Sequence, residues 1–345
     1  MFKGRALLGV SLIGLAGLAQ GAGYSVAEHW ALGGEGGWDY LSVDSQAHRL
    51  YLSRATHVLI VDTATGKAVG DIADTPGVHG IAVAADLGRG FISEGKANAV
   101  KVFDLASGKI LANIAVGGKP DSILYDAKTH RVLALNGDDD SASVIDARSN
   151  AVVKTLALGG TPEAGRSDGA GHVYVNLEDK NQLVAIDVGT PAVTAHWELP
   201  GCERPTGFAL DAVHHRAFSS CANAVMAILD TTSGRSLATL PIGKGTDGAE
   251  FDAALQDAYS ANGEGTITVV HESDPDHFAV LETLPTERGA RTIALDAATH
   301  RLYLPTAKFG PLPAGSADKH PPILPDTFEV LVVTAPAAAH PSAGR

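Results

Sequence analysis

The sequence predicts an all-β fold, a seven-bladed β-propeller with four antiparallel strands per blade. Three observations predict it. The pentapeptide HRLYL stands at residues 48–52 and again, letter for letter, at 300–304. Its fourth position recurs as Tyr51, Phe91, Leu133, Tyr174, Phe218, Tyr259 and Tyr303, at intervals of 40 to 44 residues. A second anchor closes the third apolar run of successive units: Asp62, Asp104, Asp146, Asp187 and Asp230, with His271 in the sixth. Two anchors that keep step over such a period mark a repeat architecture in which each unit is one supersecondary module.

Each unit divides in the same way. In the third, "DSILYD", "HRVLAL", "SASVID" and "AVVKTLAL" are short runs rich in β-branched residues, separated by turn residues such as "DAKT" and "ARSN". That is the pattern of four short strands, hence one propeller blade. The segments "DTATGK" (62–67) and "DLASGK" (104–109) read as hairpin turns in which glycine supplies the positive φ. The last unit ends at "FEVLVVT", one strand short, while "YSVAEHWAL" near the N-terminus is a strand without a unit. We expect it to complete the seventh blade and close the ring. His48, His130, His215 and His300 share one hairpin position in different blades, with His172 close to it, so they are read as structural.

The first 22 residues stand apart. Lys3 and Arg5 precede an apolar run from Ala6 to Ala19 and then small residues, the pattern of a secretory signal peptide cut after Gly21 or Ala22. A periplasmic or secreted protein is expected, with no membrane span after cleavage. The domain plan is residues 1–22 signal peptide, 23–335 one propeller, and 336–345 disordered tail. Removing residues 1–22 takes the formal charge from −13 to −15, because that segment holds two basic and no acidic residues. Such a surface repels phosphate backbones, so nucleic acid is excluded as a partner. The only cysteines, Cys202 and Cys221, are expected to pair.

The segments "RLYLSRATHVLIVDTATGKAVGDI", "HVYVNLEDKNQLVAIDVGT" and "DAYSANGEGTITVV" resemble the YncE-like, or YVTN-repeat, seven-bladed propellers of exported bacterial proteins. The resemblance spans nearly all of the chain after the signal peptide. Only Asn136 and Asn262 keep the final asparagine of the Y-V-T-N signature; Arg54, Glu94, Leu177, Cys221 and Thr306 replace it elsewhere. The resemblance implies a fold rather than an activity, because propellers host many unrelated functions. It is compatible with a scaffold that sits beside a cofactor-bearing partner.

In a propeller the innermost strands line the axis, and the loops entering them share one face, here called upper, with the loops joining second and third strands. The residues opening the inner strands align as Asp39, His79, Asp121, Glu163, Thr206, Asp247 and Arg291. The adjoining loops add His57, Glu94, Asn136, Glu264 and Lys308. Converging carboxylates repel one another and need a cation, a guanidinium or protons. An oxygen-rich ring suits Ca²⁺ or Mg²⁺, and histidine with carboxylate suits Zn²⁺. The competing expectation is a water-filled acidic funnel balanced by Arg291. An insertion at 308–326, "KFGPLPAGSADKHPPILPD", carries five prolines and lies on the same face; it is either a lid bringing His320 over the channel or a solvated excursion. Both cysteines map to the upper face of the fifth blade.

Two functions remain open at this stage. One is a monomeric, non-catalytic binding protein that holds a metal, a small molecule or a protein partner on the upper face, with Asp39, His57, His79, Asp121, Glu163, Asp247, Glu264 and Arg291 as candidate site residues. The other is a metal-dependent lactonase, hydrolase or lyase. There a metal on Asp121, Glu163, Asp247 or His79 would polarise a carbonyl, His57 or Glu264 would act as base, and Arg291 would hold a substrate carboxylate. No such family's site maps onto this chain residue by residue. P-loop, H-E-x-x-H and C-x-x-C-H motifs are absent from the sequence. "HESDPDH" (271–277) falls in a strand-to-strand turn rather than on a helix.

Overall fold

The computed structural model describes residues 23–312 and 321–336. The expected signal peptide, the centre of the Pro-rich insertion with His320, and residues 337–345 lie outside the described residues. The chain forms seven sheets of four antiparallel strands each. In six of them strand order follows the chain. In the seventh, Ser25–Ala31 pairs with Glu329–Thr334, which continues through Arg301–Thr306 to Ala294–Asp296. The N-terminal strand closes the ring as expected, and HRLYL recurs because the first and seventh blades carry equivalent hairpins.

Burial follows the strand order. In the third blade the second strand, Arg131–Asn136, is buried after its first residue, whereas the outer strand Ala151–Ala157 is exposed at all positions except Leu156. The apolar clusters lie between blades: Leu133, Leu135 and Val144 of the third pack with Val173, Val175 and Val184 of the fourth. A single sheet cannot bury both faces, so each blade takes its core from its neighbours.

The turns explain both anchors. His48, His130, His215 and His300 all have positive φ, between 52° and 61°, a place taken by Gly88 in the second blade and Gln256 in the sixth. His130 bonds Tyr125 through its ring at 2.8 Å, and His300 bonds Asp252 at 2.6 Å. The aspartate anchor pairs across the ladder with a cation, as in Arg49–Asp62 and Arg216–Asp230. In the sixth blade the polarity is reversed: Asp257 faces His271 at 2.8 Å, which is why histidine holds that anchor.

Cys202 and Cys221 form a disulfide with Cα atoms 5.5 Å apart across a sequence separation of 19. It ties the loop entering the fifth blade to the end of that blade's second strand. Closing a loop of this length removes about 3 kcal/mol of unfolded-state freedom. The double Cys→Ser variant should therefore unfold at clearly lower denaturant; two free thiols in denatured, unreduced protein by Ellman's assay would contradict the bridge. No helix among the described residues is long and apolar enough to cross a membrane.

Candidate channel-mouth site

The upper ends of the inner strands are held by hydroxyls of the second strands. Ser53 accepts from the Asp39 amide at 2.9 Å and donates to the Tyr40 carbonyl at 2.9 Å. Ser93 accepts from the Gly80 amide at 2.8 Å and donates to the Asp121 carbonyl of the next blade. Thr292 of the seventh blade donates to the Asp39 carbonyl at 2.9 Å. Neighbouring inner strands are thus stitched together where the candidate side chains emerge.

Asp39, His79 and Asp121 meet there, from three successive blades. His79 Nδ1 is 2.7 Å from Asp39 Oδ2 and 3.6 Å from Asp121 Oδ1. One ligand atom from each residue falls within 4.8 Å of the others. All three side chains are partly exposed, so the cluster is open to the channel. The hydrogen bond that His79 donates to Asp39 holds its pKa above the usual value, against the effect of burial. Burial, then the Asp39 charge, pushes Asp121 up to about 6.

Glu163 and Asp247 complete the acidic wall. Burial raises Glu163 to about 9, with the Asp121 and Asp247 charges next in weight. Burial raises Asp247 to about 7, opposed by Arg291, whose Nε lies 2.9 Å from Asp247 Oδ2. Tyr40, which the sequence analysis did not single out, donates its hydroxyl to Glu163 Oε1 at 3.2 Å. Its own pKa is raised by burial first and then by Glu163. Its position directly after Asp39 was the available signal. Three residues down the inner strands from Glu163 and Asp247, Arg166 pairs with Glu250 at 2.8 Å. With that pair as floor, the mouth is a cup.

His57 and Glu264 do not join this cluster. His57 Nε2 lies 3.5 Å from Asp71, on the first blade's outer strand Lys67–Ile72. Glu264 is exposed, with Oε1 3.3 Å from the Thr266 hydroxyl. Both sit on the upper face, but the strand order sets radius as well as face, and His57 lies beside the rim. Of the remaining loop residues, Glu94 is buried against Lys101 at 2.9 Å, and Asn136 is buried and donates to Ser141 and Ser143.

The base of the insertion folds back on itself. Phe309 bridges Ile323, and the Gly310 amide donates to the Pro322 carbonyl at 2.8 Å. Phe309 lies against Trp38, which stacks towards Phe328 under the Arg54 guanidinium. Trp38, Phe309 and Ile323 line a cavity of about 560 Å³ together with Arg288 and Arg291. The cavity therefore shares Arg291 with the acidic cup.

Fold and site define a seven-bladed propeller with an acidic, histidine-bearing channel mouth. Comparison with known proteins matches no family model and no curated protein. Among solved structures, the chain superposes on one titled Kuenenia stuttgartiensis Hydrazine Synthase with TM-score 0.68 and 15% identity, covering 79% of this chain and 93% of that one. It also superposes on one titled Structure of U3-55K with TM-score 0.73 and 10% identity, covering 90% of this chain and 98% of that one. At such identities the likeness is one of fold.

Proposed function

We propose that this is an exported, monomeric YVTN-type propeller that binds a divalent metal ion at Asp39, His79 and Asp121. The observation that carries this is the approach of the three ligand atoms to within 4.8 Å of one another inside a ring of further carboxylates. A bound cation would offset the burial, and after it the mutual repulsion, that otherwise keep protons on Asp121 and Glu163. One imidazole with carboxylates is a mixed N/O donor set, which favours zinc or a similar transition metal over calcium or magnesium. Periplasmic or secreted residence follows from the signal-peptide pattern and is compatible with the disulfide.

The test is elemental mass spectrometry on tag-free protein purified without chelator. The expected result is near-stoichiometric divalent metal that falls sharply in the His79→Ala and Asp121→Asn variants. A folded protein without metal, still binding none when zinc is supplied, would leave the acidic funnel balanced by Arg291.

The cavity beside Arg291 supports a second reading, that the metal serves a small anionic substrate. Arg288 and Arg291 would hold a carboxylate while the metal polarises a neighbouring carbonyl. Asp121→Ala and Asp247→Ala would then abolish turnover in a lactone and ester screen without unfolding the protein. Full activity in both would remove this reading.

A further inference from the structure

The lower face carries a second convergence of metal-ligating side chains, at the junction of the fifth and sixth blades. Asp211 ends the inner strand Pro205–Asp211, and His214 lies in the turn that follows. Glu272 comes from the third strand of the next blade, Thr266–Asp274. One ligand atom from each lies within 4.8 Å of the others.

Both His214 and Glu272 depart from the repeat. The Glu272 amide donates to the Gln256 carbonyl, the bond made in other blades by Thr63, Ala147, Val188 and Thr231 to their own turn residues. Those four are buried and, like the partly buried Leu105 that makes the same bond in the second blade, small or apolar, so a carboxylate at this register is exceptional. His214 precedes the positive-φ residue of its turn, where other blades place Ala47, Leu87, Thr129, Leu255 and Thr299. The two departures come from different blades and meet each other.

Glu272 is the decisive side chain. It is 1% exposed, and neither carboxylate oxygen has a hydrogen-bond partner. Its nearest ionic neighbour is His214 Nδ1 at 3.6 Å, beyond hydrogen-bond reach. Arg216 is close by but committed elsewhere, to the Pro275 carbonyl at 2.6 Å and to Asp230 at 3.2 Å. A buried carboxylate without hydrogen bonds is costly unless a cation joins it. Asp211 is already oriented: Oδ1 accepts from the Val213 and His214 amides, leaving Oδ2 towards His214 Nδ1 at 2.5 Å. The His214 ring is 35% exposed while both carboxylates are fully covered, so the cluster meets solvent on its histidine side.

We propose that Asp211, His214 and Glu272 form a second divalent-metal site, of the zinc class, that clamps the fifth blade to the sixth. Two carboxylates balance a divalent ion, and three protein ligands with one water give the four-coordinate arrangement zinc prefers. Binding exchanges the Asp211–His214 hydrogen bond for metal bonds to a neutral imidazole, and gives Glu272 the partner it lacks.

The test is zinc titration by calorimetry on chelator-stripped, full-length protein, with cobalt absorption as a spectroscopic check. Wild type, Glu272→Gln, His214→Ala and Asp121→Asn would be compared. Glu272→Gln preserves shape, and His214→Ala lies in a partly exposed turn, so one or the other will fold. The expected result is loss of one zinc equivalent, or weakening by about 100-fold, in the lower-face variants. Asp121→Asn should keep that equivalent and lose a different one. If wild type binds a single zinc that disappears with Glu272→Gln but survives Asp121→Asn, the lower site stands and the channel-mouth proposal falls. Zinc stoichiometry and affinity unchanged in both Glu272→Gln and His214→Ala would overturn the lower site, leaving a proton-bridged ion pair between blades.

Discussion

In chelating buffer, the protein should be more stable near about pH 5 than near about pH 8, the reverse of what an acidic protein with salt-bridged carboxylates shows. The sign follows from the channel mouth. Glu163, Asp247 and Asp121 are raised to about 9, about 7 and about 6 in the folded chain. The unfolded chain releases these protons near pH 4, so between those limits the folded state holds more protons. Stability from such groups is complete below the unfolded pKa and is lost as pH rises through the folded one. Each costs about 1.4 kcal/mol per pH unit over its window, an upper figure because the carboxylates share one field. The raised His79 acts in the same direction. Asp146 and Asp230, both lowered to about 2, act in the opposite direction but are already ionised in both states above pH 5. Urea titrations at the two pH values measure the difference. Glu163→Gln should flatten the slope and stabilise the protein at the higher pH, and zinc should do the same for the wild type. Stability that rises between the two pH values would refute the acidic-cup electrostatics.

Removing residues 23–32 should abolish cooperative folding. Ser25–Ala31 supplies the fourth strand of the seventh blade, and its side chains tie that blade to both neighbours. Tyr24 donates its hydroxyl to Asp257 at 2.5 Å and lies 2.9 Å from the Tyr259 hydroxyl, both in the sixth blade. Trp30 packs against Tyr303 with the rings tilted, and lies over Gly66 of the first blade, where an added Cβ would come within 2.5 Å of the indole. Gly66 also has φ of +67°, so two constraints require glycine there. Both aromatics are buried, at 5% and 7% exposure. Their burial alone contributes about 3–6 kcal/mol, before the ladder bonds and the opened edge of Glu329–Thr334 are counted. That is comparable to the whole stability of a typical domain, about 5–15 kcal/mol. Circular dichroism and denaturant titration of the truncated chain check this. A peptide spanning 23–32 should restore folding in trans; an unchanged midpoint without it would contradict the closure.

The architecture was legible because closing a ring requires every blade to repeat the same register. Tyr51, Phe91 and Leu133 recur because each packs between adjacent sheets, and Asp62, Asp104 and Asp146 because each ends a strand at a turn. Even the exception at His271 carried physical information, since it marks a ladder pair with reversed charge. Aligning inner-strand openings located Asp39, His79, Asp121, Glu163, Asp247 and Arg291. Those positions share both face and radius. His57 and Glu264 share only the face, and period alone gives no radius. Tyr40 and the Arg166–Glu250 floor escaped notice because their partners lie across the channel, on other blades. His214 and Glu272 were hidden for the same reason: each looks like a local irregularity until two neighbouring blades are placed side by side.

Crystals grown with zinc, measured on both sides of the zinc absorption edge, test the central claim most directly. The account predicts an anomalous peak at the channel mouth, about 2.0–2.2 Å from Asp39, His79 and Asp121 ligand atoms. It also predicts that the peak is absent in the Asp121→Asn protein. A well-ordered mouth with no peak among these residues, at zinc concentrations that saturate calorimetric binding, would contradict it.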